Sequence, residues 1–181
     1  MKRLTAFYLL IAFFTTIQLH AQTVEVGGEP MYPQKTIVDN AVQSAVHTTL
    51  VAAVKAAGLV QTLQGNGPFT VFAPVNDAFE DLPEGTVDHL LKPANKKQLV
   101  DVLTYHVVPG KYDFDALAKM IRKGDTELTT VSGGKLWIMM NGKHNISIKD
   151  EMGNVANVSV YDVYQSNGVI HSIDHVLMPK M

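Results

Sequence analysis

Apolar and polar positions divide this chain into a mainly helical half and a sheet half. From Thr36 the apolar residues recur at helical spacing: Ile37, Ala41, Val42 and Ala45 form one stripe, and Leu50, Val51 and Val54 share one side of Thr48–Ala57. Gly58 follows as a C-terminal cap, and a turn through Leu59, Val60 and Leu63 runs into Gly65-Asn66-Gly67. Residues 69–73 are a continuous apolar run of strand length, entered through Pro68 and closed by Pro74. Asn76 reads as the cap of a short helix through Phe79 and Leu82, which Pro83 stops. Helices over Thr86–Leu91 and about Lys96–Tyr105 come next, the second turning Leu99, Val102 and Leu103 inward until Val107, Val108, Pro109 and Gly110 break it. Asp113 or Asp115 opens one more helix, through Leu117 and Ile121, and Gly124 ends it.

Period-two patterning then takes over. Residues 128–131, 135–140, 144–149, 155–164 and 169–178 are five candidate strands, separated by Ser132-Gly133-Gly134, Asn141-Gly142, Gly153-Asn154 and Asn167-Gly168. Helices first and strands afterwards predict an α+β domain and not an alternating βαβ one.

The N-terminus changes the picture. Lys2 and Arg3 precede an uncharged apolar run over 4–19, and Ala21 offers a small residue for cleavage before Gln22. This is the layout of a secretory signal peptide over 1–21; the alternative is an uncleaved anchor, because the run nearly reaches spanning length. Residues 22–35, with Gly27, Gly28, Pro30 and Pro33, read as a linker, leaving 36–181 as one domain. Cleavage near Ala21 predicts a secreted, periplasmic or surface product. It also leaves 13 basic against 17 acidic residues, a net charge of about −4, with no basic run to hold a phosphate backbone, so nucleic acid is not an expected partner. No later run of 18 apolar residues predicts a membrane span. The absence of cysteine removes thiol catalysis and zinc–thiolate sites, and a core of this size does without disulfides.

Motifs for catalysis are missing: there is no Gly-x-Ser-x-Gly elbow, phosphate-cradling loop or His-Glu-x-x-His helix. Glu80 with Asp81, and Asp113 with Asp115, read as caps or solvated charge. His171 and His175 in one strand would stand about 13 Å apart, too far for one ion, so no metal and no cofactor is expected. Ser172, His106 and Asp174 are the one hydrolytic set the chain offers if folding unites them. Trp137, Met139, Met140, Tyr161 and Tyr164 offer material for an adaptable apolar site that would take a small molecule, glycan or cofactor. Lys123-Gly124-Asp125 looks like a minimal integrin tripeptide, and Asn145-Ile146-Ser147 and Asn157-Val158-Ser159 match the N-glycosylation pattern.

Three segments in order carry a resemblance. They are Phe69-Thr70-Val71-Phe72-Ala73-Pro74-Val75-Asn76-Asp77-Ala78-Phe79, then Tyr105-His106 among Leu99, Val102, Leu103, Val107 and Val108, and then the stretch from Asn167-Gly168 through His171 and Asp174 to Pro179. Together they resemble the signatures of the fasciclin domain family over about 36–179, with Val75 standing where Thr is usual. The resemblance implies a β-wedge of two packed sheets with helices from the N-terminal half against it. It also implies an extracellular or surface protein, not an enzyme, that mediates adhesion or contact with a protein, matrix or cell-surface ligand. Thr70, Phe72, Pro74, Asn76, Asp77, Phe79, Gly168, His171, Asp174 and Pro179 would then be signature residues that hold the fold. In animal members a Tyr-His segment and a Glu-Pro-Asp-Ile-Met segment are implicated in integrin binding. The matching positions here are Tyr105, His106 and the stretch Val160-Tyr161-Asp162-Val163-Tyr164, of which only Asp162 keeps the second motif. Tyr105, His106, Tyr161, Asp162 and Tyr164 are therefore the candidate partner contacts.

Overall fold

The computed structural model describes residues 23–180; the expected signal peptide lies outside the described residues. The segment read as a linker carries a hairpin, Val24–Val26 (β1) with Glu29–Met31 (β2). Gly27 and Gly28 both take positive φ, +64° and +81°, as a two-residue primed turn requires. Val26 and Met31 are buried against the main core. Its strands are three residues each, too short for their alternation to stand out from the Gly and Pro around them.

Three helices follow: Ile37–Ala41 (α1), Thr48–Ala57 (α2) and Val60–Gln64 (α3). Thr36 and Asp39 close a capping box on α1, and Gly58, at φ +75°, ends α2 in the left-handed region. Phe69–Pro74 (β3) leads into Asn76–Glu80 (α4), Thr86–Leu91 (α5) and Lys96–Tyr105 (α6). Where the sequence reading has α6 simply broken, Val107–Pro109 (β4) forms a strand paired antiparallel with β3. Phe114–Arg122 (α7) is followed by Glu127–Thr129 (β5), Lys135–Asn141 (β6), Asn145–Lys149 (β7), Val155–Gln165 (β8) and Gly168–Ile173 (β9). The last strand stops at Ile173, short of the expected 178, and the chain continues to Lys180 without regular structure.

The seven strands from β3 onward form one sheet in the order β4-β3-β9-β8-β7-β6-β5. Only β3 and β9 run parallel, from Phe69 beside Gly168 to Pro74 beside Ile173. The two layers of the wedge are halves of this sheet, joined through β8. Its start pairs with β7 and its remainder with β9, and irregularities between Val158, Val160 and Val163 bend it. The sheet ends approach one another where the Val131 amide donates to the Val107 carbonyl at 2.7 Å.

β3 is buried on both faces, which accounts for its unbroken apolar run. Val71 and Ala73 face the layer of α1, α2 and α6, packing with Leu50, Leu99 and Leu103. Phe72 points into the wedge, among Leu117, Leu136, Ile138, Ile146, Ile148 and Ile173. Full burial of each such aliphatic side chain contributes about 1.5–3 kcal/mol. Asn167 fastens the helical layer to the turn before β9. Its Oδ1 accepts from the Ile37 amide at 3.0 Å, and its Nδ2 donates to the carbonyls of Leu63 and Gly65 at 2.8 and 3.0 Å. Among the described residues no helix is long and apolar enough to cross a membrane.

Candidate functional site

Tyr105 and His106 lie at the C-terminal end of α6, both inside the core. The Tyr105 hydroxyl donates to the Lys135 carbonyl at 2.7 Å and accepts from the Glu151 amide at 3.0 Å, and burial pushes its phenol up to about 12. His106 Nε2 accepts from the Leu177 amide at 2.9 Å, so its proton sits on Nδ1 and is donated to the Val102 carbonyl at 2.8 Å. Burial brings this imidazole down to about 4, the Val102 carbonyl opposing the shift; the ring is neutral at physiological pH. The same end of the molecule is sewn shut by Asp150, which accepts from the Met178 amide, and Glu151, which accepts from those of Lys135 and Lys180. These two amides hold the Glu151 carboxyl below its usual range.

A second polar cluster joins the bend of β8 to the start of α7. Asp162 has φ +57°, a left-handed conformation for a residue with a side chain. Its Oδ1 accepts from the Phe114 amide at 2.7 Å, and its own amide donates to His171 Nδ1 at 3.3 Å. His171 Nε2 then donates to the Tyr112 carbonyl at 2.8 Å. This ring is fully buried, stacks on Phe72 and meets Tyr161 edge-on; burial lowers its pKa. Tyr161 accepts from the Ile146 amide at 2.7 Å and packs edge-to-face on Phe114. Tyr164 donates to Asp113 Oδ2 at 3.3 Å, and the exposed Lys111 ammonium lies 4.5 Å from its ring centre. Asp113, through its other oxygen, caps α7 at the Ala116 amide. The candidate contacts thus fall into two places, Tyr105 and His106 in the interior and Tyr161, Asp162 and Tyr164 half-buried on one face.

The other signature residues are spread along β3, α4 and β9. The Thr70 hydroxyl donates to the Gly110 carbonyl and accepts from the Tyr112 amide, both at 2.8 Å. Phe72, Pro74 and Gly168 are buried, and a side chain at Gly168 would collide with the Phe69 carbonyl across the parallel pair. Asn76 does not cap α4: Val75 occupies that N-cap position without a side-chain bond, and Asn76 reaches α2 instead. Asp77 is exposed in the first turn of α4, where its charge suits the helix dipole. Phe79 packs against the cluster of Ala78, Val102 and Val176, and Pro179 is half-buried in the tail. Asp174 accepts from the amide and side chain of Asn157 at 2.6 and 2.9 Å. Burial pushes its carboxyl up, but Asn157 and His175 together bring it below the usual range.

No catalytic relay links Ser172, His106 and Asp174: both nitrogens of His106 bond backbone groups, and Asp174 bonds Asn157 and His175. Among the described residues no group of three or more His, Asp or Glu side chains is placed to hold a metal ion. Met140 and Tyr161 pack on the interior of the wedge, Trp137 and Met139 line an open hollow beside Met152, and Tyr164 stands with Lys111, so these residues do not share one pocket. Asn145 is exposed, whereas the Asn157 side chain also accepts from Ser147 and Asn141. Lys123, Gly124 and Asp125 are exposed after α7, with Gly124 at φ +79° ending the helix.

A more enclosed apolar hollow lies elsewhere, on the helix-facing side of the signature strands β3 and β9. A cavity of about 270 Å3 runs between α1, α2 and α3 and the face of β3 and β9, reaching Thr104 and Val131 at the sheet edge. His47 and Ser172 line it. His47 Nδ1 pairs with the Ser44 hydroxyl at 2.9 Å, and burial lowers the ring's pKa, with the Ala73 carbonyl opposing. Period-two alternation along β9 is the signal that could have turned Ser172 toward this cavity: with Ile170 it faces the helices, while His171 and Ile173 face the wedge.

The Fasciclin domain model matches residues 45–179. Protein sll1483 of Synechocystis sp. is 49% identical over 147 residues, covering 81% of this chain and 74% of that protein. Transforming growth factor-beta-induced protein ig-h3 of Sus scrofa is 36% identical over 149 residues, covering 81% of this chain and 20% of that protein. The cell surface glycolipoprotein MPB83 of Mycobacterium bovis is 37% identical over 122 residues, covering 67% and 48%. Among solved structures, a FAS1 domain pair from the insect cell adhesion molecule fasciclin I superposes with a TM-score of 0.71 at 20% identity, covering 81% of this chain and 51% of that one. That last likeness is one of fold.

Proposed function

The chain is a member of the fasciclin domain family, and from that membership we propose that it serves outside the cytoplasm as a binding module, holding a protein, matrix or cell-surface ligand by surface contact. The observation that carries this reading is the family match over 45–179, joined by relatives such as a cell surface glycolipoprotein. The chemistry of the signatures supports it. Tyr105, His106, His171 and Asp174 are consumed by the fold's own hydrogen bonds, which leaves recognition to exposed side chains and not to a reactive centre.

The contact face is read as the bend of β8 with the start of α7, where Asp162, Tyr164 and Lys111 stand together. An aromatic ring under an ammonium group, beside half-buried carboxylates, is the composition of a polar contact patch. Only Asp162 of the family's integrin segment is kept, so an integrin is not the ligand named here. Immobilised protein should bind cells of its own source, or their matrix polymers, saturably. Tyr164→Ala combined with Lys111→Ala should weaken that binding about tenfold without unfolding the domain. Unsaturable binding to every such surface would overturn the reading. Recovery from the envelope or medium of a chain beginning at Gln22 tests the export part.

A further inference from the structure

The cavity between the helical layer and the sheet is untouched by that surface role. We propose that it is a binding site for a small, elongated apolar molecule that ends in one neutral polar group, a hydroxyl or a carbonyl.

The walls set the body of the ligand. Leu50, Phe69, Val71 and Ile170 are typical of a lining that is almost wholly hydrocarbon. The charged side chains on the lining are Asp39 and the exposed Lys55, both from the helical layer; a carboxylate or ammonium carried in beside Ser172 and His47 would lose its hydration. Size follows from volume: a dry cavity of about 150 Å3 holds benzene, so 270 Å3 accommodates roughly eleven carbons on that scale. Length follows from the lining, which extends from Val38 and Gln64 at the helices to Thr104 and Val131 at the sheet edge. Val42 and Val131, 42% and 44% exposed, are apolar residues on that lining that also reach the surface, an arrangement suited to admitting an apolar molecule.

Two side chains set the polar end. Ser172 is fully buried and its hydroxyl has no hydrogen-bond partner in the protein. His47 is 3% exposed, and its Nε2 interacts with the Ala73 carbonyl without reaching hydrogen-bond geometry. Buried polar atoms are nearly always paired, yet these two line the same apolar cavity. Ser172 sits in register beside Ala73 on the parallel strand, where an apolar residue would satisfy the packing. A hydroxyl and a neutral imidazole can each donate or accept, which matches an alcohol or a ketone.

Calorimetric titration of the purified protein with decanol, decane and decanoate tests the site. Decanol should bind saturably, and about tenfold more tightly than decanoate. Ser172→Ala should weaken decanol about tenfold while leaving decane within about twofold. Val71→Phe, which fills the cavity, should abolish binding of both; Val38→Trp, at the half-exposed end, provides the same obstruction should Val71→Phe fail to fold. Absence of saturable decanol binding by folded protein overturns the proposal, as does binding that survives both obstructing variants. An unchanged decanol affinity in Ser172→Ala, or an equal loss for decanol and decane, overturns the assigned polar end.

Discussion

The side chain of Asn76 caps the start of α2 at Thr49, 27 residues earlier in the chain: its Oδ1 accepts from the Thr49 amide at 3.1 Å. The same oxygen accepts from the Thr48 hydroxyl at 3.2 Å, and Nδ2 donates to the Ala45 carbonyl at 3.1 Å. The position before α2 belongs to His47, which offers no side-chain cap, so a helix-initiating bond that is normally local arrives from another element. Asn76→Ala should lower unfolding free energy by about 1–2 kcal/mol, read from the denaturant midpoint. Asn76→Asp keeps the acceptor and should cost less. Equal losses in the two variants would show that the cap is not the source.

His106 couples stability to acid. Its folded pKa of about 4 lies below the ordinary value of 6.5, so the unfolded chain binds more protons between these values and stability rises with pH across them. The full contribution is present above about pH 6.5 and is lost progressively toward pH 4, roughly 3 kcal/mol in total. His47 and His171 are shifted the same way by burial, so the native slope should exceed one proton. Chemical unfolding at a series of pH values should find that His106→Gln, although less stable, reduces the slope in this window by about one proton. A slope identical to that of the native protein would refute the assignment.

Tyr105→Phe retains the ring and removes the hydroxyl that bridges Lys135 and Glu151. A partly buried carbonyl and amide lose their partner, at a cost of about 1–2 kcal/mol. Gly134 must stay small for the same ring to fit, because a side chain there would meet its edge at 2.6 Å. Gly134→Ala should therefore also destabilise, and the double variant should lose less than the sum of the two. Additive losses would separate the two positions.

Asp162 holds a left-handed backbone because its carboxylate caps α7 at Phe114. Asp162→Asn should cost little, since Asn keeps the acceptor and tolerates positive φ. Asp162→Ala loses both and should destabilise by about 1–2 kcal/mol. Thermal unfolding that ranks Asn below Ala would contradict this account.

Expressed in a host that glycosylates Asn-x-Ser, the protein should carry a glycan at exposed Asn145 and not at Asn157. The Asn157 amide nitrogen is committed to Asp174 at 2.9 Å, and its oxygen to Ser147 and Asn141. Peptide mass mapping decides between the two positions; modification of Asn157 at high occupancy would contradict the packing described.

Much of the fold was legible in the chain because its signals are local. The apolar spacing of Leu99, Val102 and Leu103 located α6, Asn141-Gly142 marked the β6–β7 turn, and Asp113 and Asp115 were the two candidate openings of α7, of which Asp113 is the cap; each depends on residues a few positions apart. The three signature segments carried the family. What the chain alone could not determine depends on non-local pairing. Which helix Asn76 caps, that β3 lies parallel to β9, that Tyr105 and His106 are buried while Tyr164 reaches the surface, and that Ser172 faces an apolar cavity all depend on elements brought together from distant positions. Sequence specifies which groups need a partner. Only the closed wedge, by excluding water from β3 and β9, decides which partner each one finds and which, Ser172 and the Nε2 of His47 among them, are left without one in the protein.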